Sequence, residues 1–494
     1  MVRRSVATHA CEVLIVNWIR IAAAITSVVS GIIAGVVTPQ PAQADWPVFD
    51  RDASRSGFAA GDNTISLANV RHLRRRWVAP YDATADGAPI LISSVQLSVN
   101  RTSPVLYQET RAGTTYALDA STGQLIWKRT TQGVNITSSM PAADPSGEWI
   151  YAPGVDAHVR KYAAATGKES RGGGFPLRIT WSPEIEKDAS ALNVANGFLY
   201  AETSGYFGDA GQYDGHVVTL NLQSGQVHVI NALCSDIQHL IRTPGECAQA
   251  RAGIWARGGA VVDPDPLMAG RIYVSTGNGD FDANQGGHDY GDSVLAISAN
   301  GSTLVDTFTP SNYQQLENGD VDLSSSAPVM LPKQPASNTP LMAVQGGKDG
   351  LLKLLNRKHL GGVGGELQDY NLNEGIFTAP AVWTDKDGTT WLFVGSGSSV
   401  TALQLVTVGG RSTLQHVWTA PVGGTSPIVA NGIVFAATSG SINAFNARTG
   451  REVWSSSQQS AGGSIGNVHW ESPIVVKGWL YMSDESGNIS AYSL

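Results

Sequence analysis

Charge is scarce in this chain. Asp, Glu, Lys and Arg make up 15% of its 494 residues, well short of the roughly 25% of an ordinary soluble domain. The net charge is −8, and the longest basic run is Arg74-Arg75-Arg76. Affinity for nucleic acid comes chiefly from neutralising phosphates. With no basic stripe, a nucleic-acid partner is not expected. Long helical stretches of Ala, Glu, Lys and Leu are missing, which excludes a coiled coil and argues against a helical solenoid. No Gly-x-Gly-x-x-Gly or Walker loop opens a helix, and neither Cys-x-x-Cys nor His-Glu-x-x-His occurs. The string around Gly395-Ser396-Gly397 lacks the strand-to-helix context of a nucleophile elbow.

What is present points one way. There are 55 Gly and 13 Trp, and 42% of the residues are hydrophobic. That is enough to bury a large core and excludes a disordered chain. Abundant Gly, Thr, Val and Trp with little charge reads as an all-β protein with many tight turns.

The N-terminus reads as a targeting segment. Arg3 and Arg4 precede an apolar stretch from Ile21 to Val37, followed by Pro39, Pro41 and Ala42-Gln43-Ala44. This is the pattern of a secretory signal peptide over 1–44, cut after Ala44, leaving 45–494 as one domain with no permanent membrane span. The alternatives are a retained anchor and, from Arg3-Arg4, export by the twin-arginine route. Periplasmic or secreted localisation follows. Cleavage removes Cys11 and leaves Cys234 and Cys247. An even pair in an exported protein reads as a disulfide, here stapling a segment that contains Pro244 and Gly245. Two unrelated buried thiols are the alternative.

Internal repeats decide the fold. Thr102–Lys128 and Thr425–Trp454 each show three apolar runs separated by turns, then Thr-Gly and a final strand ending near Trp. Weaker copies start near Met140-Pro141, Ala191, Gly259-Ala260, Ala327-Pro328, Ala379-Pro380 and Ser472-Pro473. Eight four-stranded antiparallel units at periods of about 40–50 residues predict an eight-bladed β-propeller. The last copy reaches Leu494 without its outer strand. Leu73–Ala79 is an unassigned strand that would complete the final blade and hide its edge. Ala117, Asp119, Thr122, Gly123 and Trp127 recur as Ala444, Asn446, Thr449, Gly450 and Trp454. In that turn Gly supplies positive φ, and Asp and Thr bond the turn backbone. The Trp is then free to dock on the next blade.

Ala-x-Asp-x-x-Thr-Gly-x-x-x-Trp resembles the tryptophan-docking motif of the quinoprotein-like propellers. These include pyrroloquinoline quinone (PQQ) dependent alcohol dehydrogenases, polyvinyl-alcohol dehydrogenase-like proteins and the scaffold of outer-membrane assembly. Asp45-Trp46-Pro47 with Arg51-Asp52 resembles the start of the dehydrogenase-type chains. The likeness spans nearly all of 45–494. Tyr273-Val274-Ser275-Thr276-Gly277-Asn278 is similar to the strand whose Asn is a calcium ligand beside the quinone, which implies Asn278. Asn318-Gly319-Asp320-Val321-Asp322 resembles the stretch whose Asp takes the substrate proton near the metal, which implies Asp320. Gln345-Gly346-Gly347-Lys348-Asp349-Gly350 resembles the segment whose Lys contacts the quinone oxygens, which implies Lys348. Trp255 matches the cofactor-stacking Trp about two residues out of register. The position of the calcium-binding Glu falls on Ala210, with Asp209 or Asp214 as substitutes, and no adjacent cysteines are present. The resemblance to exported PQQ-like propellers also covers Ser275–Asp282, Asp289–Ser293 and Phe308–Asn312. Asp280, Asp282, Asp289 and Asp292 there read as a solvated turn-rich loop or as a calcium-binding loop.

Two functions are implied. One is a PQQ- and calcium-dependent dehydrogenase acting on an alcohol or sugar hydroxyl, with Asp320 as base, Lys348 and Trp255 on the cofactor, and Asn278, Asp320 and Asp209 on the metal. The other is a non-catalytic propeller binding protein or cell-envelope ligands.

Overall fold

The computed structural model describes residues 45–133, 136–242 and 245–494. The predicted signal peptide and Pro244 lie outside them. Among the described residues there is one α-helix, Tyr313–Gly319, and no helix is long and apolar enough to cross a membrane. The strands form eight small sheets, antiparallel except where Gly362–Val363 pairs in parallel with Leu304–Thr309, the eight-bladed propeller that the repeats predict.

Blade 7 shows how the sequence builds a unit. Its strands are Ile428–Ala430, Ile433–Thr438, Ser441–Asn446 and Glu452–Ser455. The inner strand is fully buried, because it is sandwiched between neighbouring blades and the ring's centre and has no solvated face. The turn before the outer strand is held by the Asn446 side-chain oxygen, which accepts the N–H of Arg448 at 3.0 Å and of Thr449 at 3.1 Å. Gly450 follows with φ of 69°, a conformation that favours Gly. A Cβ there would lie 2.7 Å from the Trp418 ring of blade 6. Trp418 Nε1 donates to Ala447 O at 2.9 Å.

The same joint recurs between blades 1 and 2. Trp127 of blade 1 sits on Gly167 of blade 2, and its Nε1 donates to Ala164 O at 2.8 Å. The motif is therefore an inter-blade clamp, with Trp supplied by one blade and its seat by the next. Blade 8 consists of Ile474–Val476, Trp479–Asp484, Asn488–Ser493 and, from the other end of the chain, Arg74–Pro80. The closing strand pairs from Arg74↔Ser493 to Pro80↔Asn488. Trp454 of blade 7 donates to Leu73 O, and Trp77 packs on Gly123 of blade 1. The seam between the chain ends thus uses the same clamp as the joints of blades 1 and 2 and of blades 6 and 7.

One boundary differs from the sequence reading. Thr102–Lys128 is not a complete unit. Thr102-Ser103-Pro104 lies in the second strand of blade 1, Arg101–Glu109, and the inner strand is Ile90–Ser98. The Thr-Ser-Pro string matches the blade 7 start by chance, whereas Ala88-Pro89 occupies the equivalent place.

The stretch from Asp45 to Ala59 fills the ring's centre. It exchanges backbone hydrogen bonds with Leu91 of blade 1, Ala143 of blade 2, Val262 of blade 4, Val382 of blade 6 and Val429 of blade 7. Asn193 of blade 3 donates to Ala53 O at 2.9 Å. Only a segment on the axis can reach the inner strands of six blades. Arg55, 0% exposed, donates to the carbonyls of Phe49, Ala191, Leu192 and Gly258. The channel is therefore plugged along this stretch.

Candidate functional site

Links between blades, and loops joining second to third strands, emerge at one face of a propeller. All five residues singled out in the sequence occupy such positions. Trp255 is in the link to blade 4, and Asp320 is in the link to blade 5. Asp209, Asn278 and Lys348 are in the second-to-third loops of blades 3, 4 and 5.

Four of them share one cluster. Lys348 Nζ lies 3.2 Å from Asp320 Oδ1 and 2.5 Å from Asp322 Oδ2, and 5.6 Å from the centre of the Trp255 ring. The backbone N–H of Asn278 donates to Asp322 Oδ1 at 2.8 Å, and its side-chain amide donates to Asp292 at 2.9 Å. Asn278 Oδ1 is buried and accepts no hydrogen bond. Asp320 is 77% exposed at its side chain, Asp322 only 13%. The cause is local. The short helix Tyr313–Gly319 ends with Asp320 in the left-handed conformation, φ 52°, which turns Asp322 inward. Gly277 is required beneath it, since a Cβ there would lie 2.3 Å from Asp322 Oδ1.

Burial shifts several of these groups. It pushes Asp292 up to about 8 against the N–H of Leu323 and with the repulsion of Asp322. It opposes the charge on Lys348, but hydrogen bonds and charge from Asp322 and Asp320 outweigh it and hold the ammonium above its ordinary range. Lys187, on the short strand Glu186–Asp188 of blade 3, is pushed down to about 8 by burial and by the Arg257 guanidinium.

Asp209 stands apart. It is exposed, and its Oδ1 accepts the Tyr213 hydroxyl at 2.6 Å. Asp214 turns into blade 3 beside Glu186 rather than toward Asn278. The acidic loop of blade 4 is internally bonded. Asp282 accepts the Asp289 N–H, and Asp289 accepts the N–H of Cys234. Cys234 and Cys247 form the expected disulfide, which closes this side of the face.

The sequence reading missed Asp322 and two rings. Trp255, Phe377 and Trp470 come from the links before blades 4, 6 and 8, and their centroids are 6.0–6.4 Å apart. Residues from alternate blades can approach so closely only over the axis. They meet beside the plug, with Phe377 36% exposed. Arg257 braces them from below. Its guanidinium lies 4.8 Å from the Trp470 ring and donates to Ser138 O, Ala189 O and Trp255 O. A readable signal existed. Phe377 and Trp470 each stand three residues before the proline that opens an inner strand. A cleft between Asp52–Ser54 and Val262–Pro266 lies at the opposite face and holds none of these residues.

Among solved structures, the quinohemoprotein alcohol dehydrogenase of Comamonas testosteroni is similar at 14% identity and a TM-score of 0.66, over 92% of this chain and 81% of that one. A europium-containing methanol dehydrogenase matches at 12% and 0.64, over 92% and 99%. BamB from Moraxella catarrhalis matches at 11% and 0.53, over 85% and 100%. At such identities the likeness speaks for the fold. No curated protein sequence matches the chain. A family model described as outer membrane protein assembly factor BamB matches residues 47–231, 93–308 and 382–494. The matched segments cover well over half of the sequence, so the chain belongs to this PQQ-like repeat family.

Proposed function

We propose that the chain is an exported oxidoreductase that holds PQQ and calcium beside Trp255 and Lys348 and oxidises an alcohol or sugar hydroxyl. The observation that carries this reading is the group of three aromatic rings beside the plug, edged by Lys348, Asp322 and Asn278. An apolar group of mutually inclined rings offers one ring face, that of Trp255, with a cation and oxygen donors beside it, which suits a planar, anionic ring system. Trp255 would stack on the quinone, and Lys348 would bond its oxygens. The unpaired Asn278 Oδ1 and the Asp322 carboxylate would offer oxygens to calcium, a hard cation that takes 6–8 of them, with Asp209 as a more distant candidate. Bound there, the quinone would supply the electron-accepting chemistry. The Asp320–Asp322 pair, straddling Lys348, would take the hydroxyl proton.

The test is reconstitution of the full chain with PQQ and calcium, followed by tryptophan quenching and dye reduction over an alcohol panel. Saturable, calcium-dependent binding is expected, weakened at least about tenfold in Asn278→Ala, with turnover lost in Asp322→Asn. Absence of saturable binding would overturn the reading. It would leave the scaffold, which is favoured by two rings on the same face: Phe207, fully exposed, and Trp181, 44% exposed between Arg178 and Arg242.

A further inference from the structure

A second group of ligand-type side chains lies on the same face as Asn278, at the seam where the chain closes. Asp86 is in the link from the closing strand to blade 1. His469 is in the link to blade 8, and Glu485 is in the second-to-third loop of blade 8. One ligand atom from each falls within 4.8 Å of the others. His469 Nδ1 is 3.7 Å from Asp86 Oδ1 and 3.8 Å from Glu485 Oε1. Ligands at zinc-type bond lengths sit ~3.4 Å apart in a tetrahedron, so small rotations of the two half-exposed side chains would complete the geometry.

Asp86 adds an independent observation. It is 6% exposed, and its Oδ1 accepts no hydrogen bond although it faces the imidazole. Its other oxygen faces Arg111 Nε at 3.8 Å, which orients the carboxylate with Oδ1 toward His469. The backbone is held as well. Glu485 N donates to Asn467 O, and Thr84 Oγ1 donates to Glu485 O. His469 N donates to Glu471 Oε2 at 2.6 Å.

We propose that Asp86, His469 and Glu485 bind one imidazole-seeking divalent cation of the zinc class, which ties the start of blade 1 to blade 8 across the seam. One nitrogen and two carboxylates select zinc-type ions over calcium, which takes oxygen alone. The site is separate from the Asn278–Asp322 cluster and does not depend on PQQ.

The test is zinc titration of the chelator-treated full chain against a chromophoric chelator, without PQQ or calcium. One equivalent should bind, and zinc should raise the melting temperature, because a ligand specific for the folded state stabilises it. His469→Ala and Glu485→Gln, both at half-exposed positions, should each weaken binding by at least about tenfold and abolish the melting shift. His239→Ala, which removes the other exposed His–Glu pair, should leave both unchanged. No saturable binding overturns the proposal. So does binding that survives both ligand substitutions, or that is lost in His239→Ala. Failure of PQQ to bind would leave this result untouched.

Discussion

Single residues show where burial has been accepted at a cost. Asp214 is 1% exposed, and neither of its oxygens accepts a hydrogen bond. Burial, with repulsion from Glu186, pushes its carboxyl from 3.8 up to about 7. A carboxyl raised on folding favours the native state fully only below its unfolded value. That contribution is lost as pH climbs toward the folded value. Stability should therefore fall between about pH 4 and pH 7, by at most ~4 kcal/mol from this group. Asp214→Asn should flatten that fall and raise stability at pH 8, with little change at pH 4. Urea melts of both proteins across this range would show it, and parallel curves would refute it. The same scale explains why Asp320 was legible and Asp322 was not. Two aspartates two residues apart look alike in sequence. Both meet Lys348, but the left-handed turn ending Tyr313–Gly319 decides which one is buried there, and only the folded backbone carries that information.

At the scale of the element, the clamp between blades is the main device. Trp418 is 8% exposed and fills the seat made by Gly450. Trp418→Ala should cost ~3–5 kcal/mol, as truncation of a large core aromatic does. Gly450→Ala should cost ~2 kcal/mol, because it strains φ and pushes on the ring. Glycine with positive φ in open space, such as Gly173, should be cheaper to replace. Chemical denaturation of the three variants would rank them, and equal losses would sink the clamp. This element could be read in advance, since Thr-Gly and Trp recur at fixed offsets. Blades 2 and 3 were fainter. Gly167 and Gly225 keep the turn, but blade 3 supplies no Trp, so its outer strand Val227–Asn231 packs without that anchor. The aromatic group was illegible as a unit. Its rings are over 90 residues apart in sequence and meet only because alternate blades share an axis.

The whole molecule is organised about its plug. Six inner strands bond the stretch from Asp45 to Ala59 or a side chain's reach from it, and Arg55 sends hydrogen bonds to four carbonyls. Arg55→Met keeps the bulk and removes the donors, leaving those carbonyls buried without partners. It should cost ~3 kcal/mol or more and loosen blades 3 and 4 first, because Ala191, Leu192 and Gly258 flank their inner strands. Hydrogen exchange resolved by segment would detect this; protection lost evenly around the ring would count against it. In the sequence the stretch was visible only as the opening of a familiar type of chain. Nothing in Trp46 or Arg55 alone says that they lie on an axis.

The closing strand also imposes an order in time. Arg74–Pro80 is synthesised roughly 400 residues before its partner Asn488–Ser493, a wait of ~20–80 s at ordinary rates of translation. Through that interval the strand is an unpaired edge, open to pairing with any other chain. The longest basic run in the protein, Arg74-Arg75-Arg76, falls on this segment. Repulsion between its positive charges would keep waiting copies apart. Once Ser493 arrives, Arg76 bonds its side chain and Arg75 bonds Ser464 O, so the guard that kept the strand solitary becomes part of the latch.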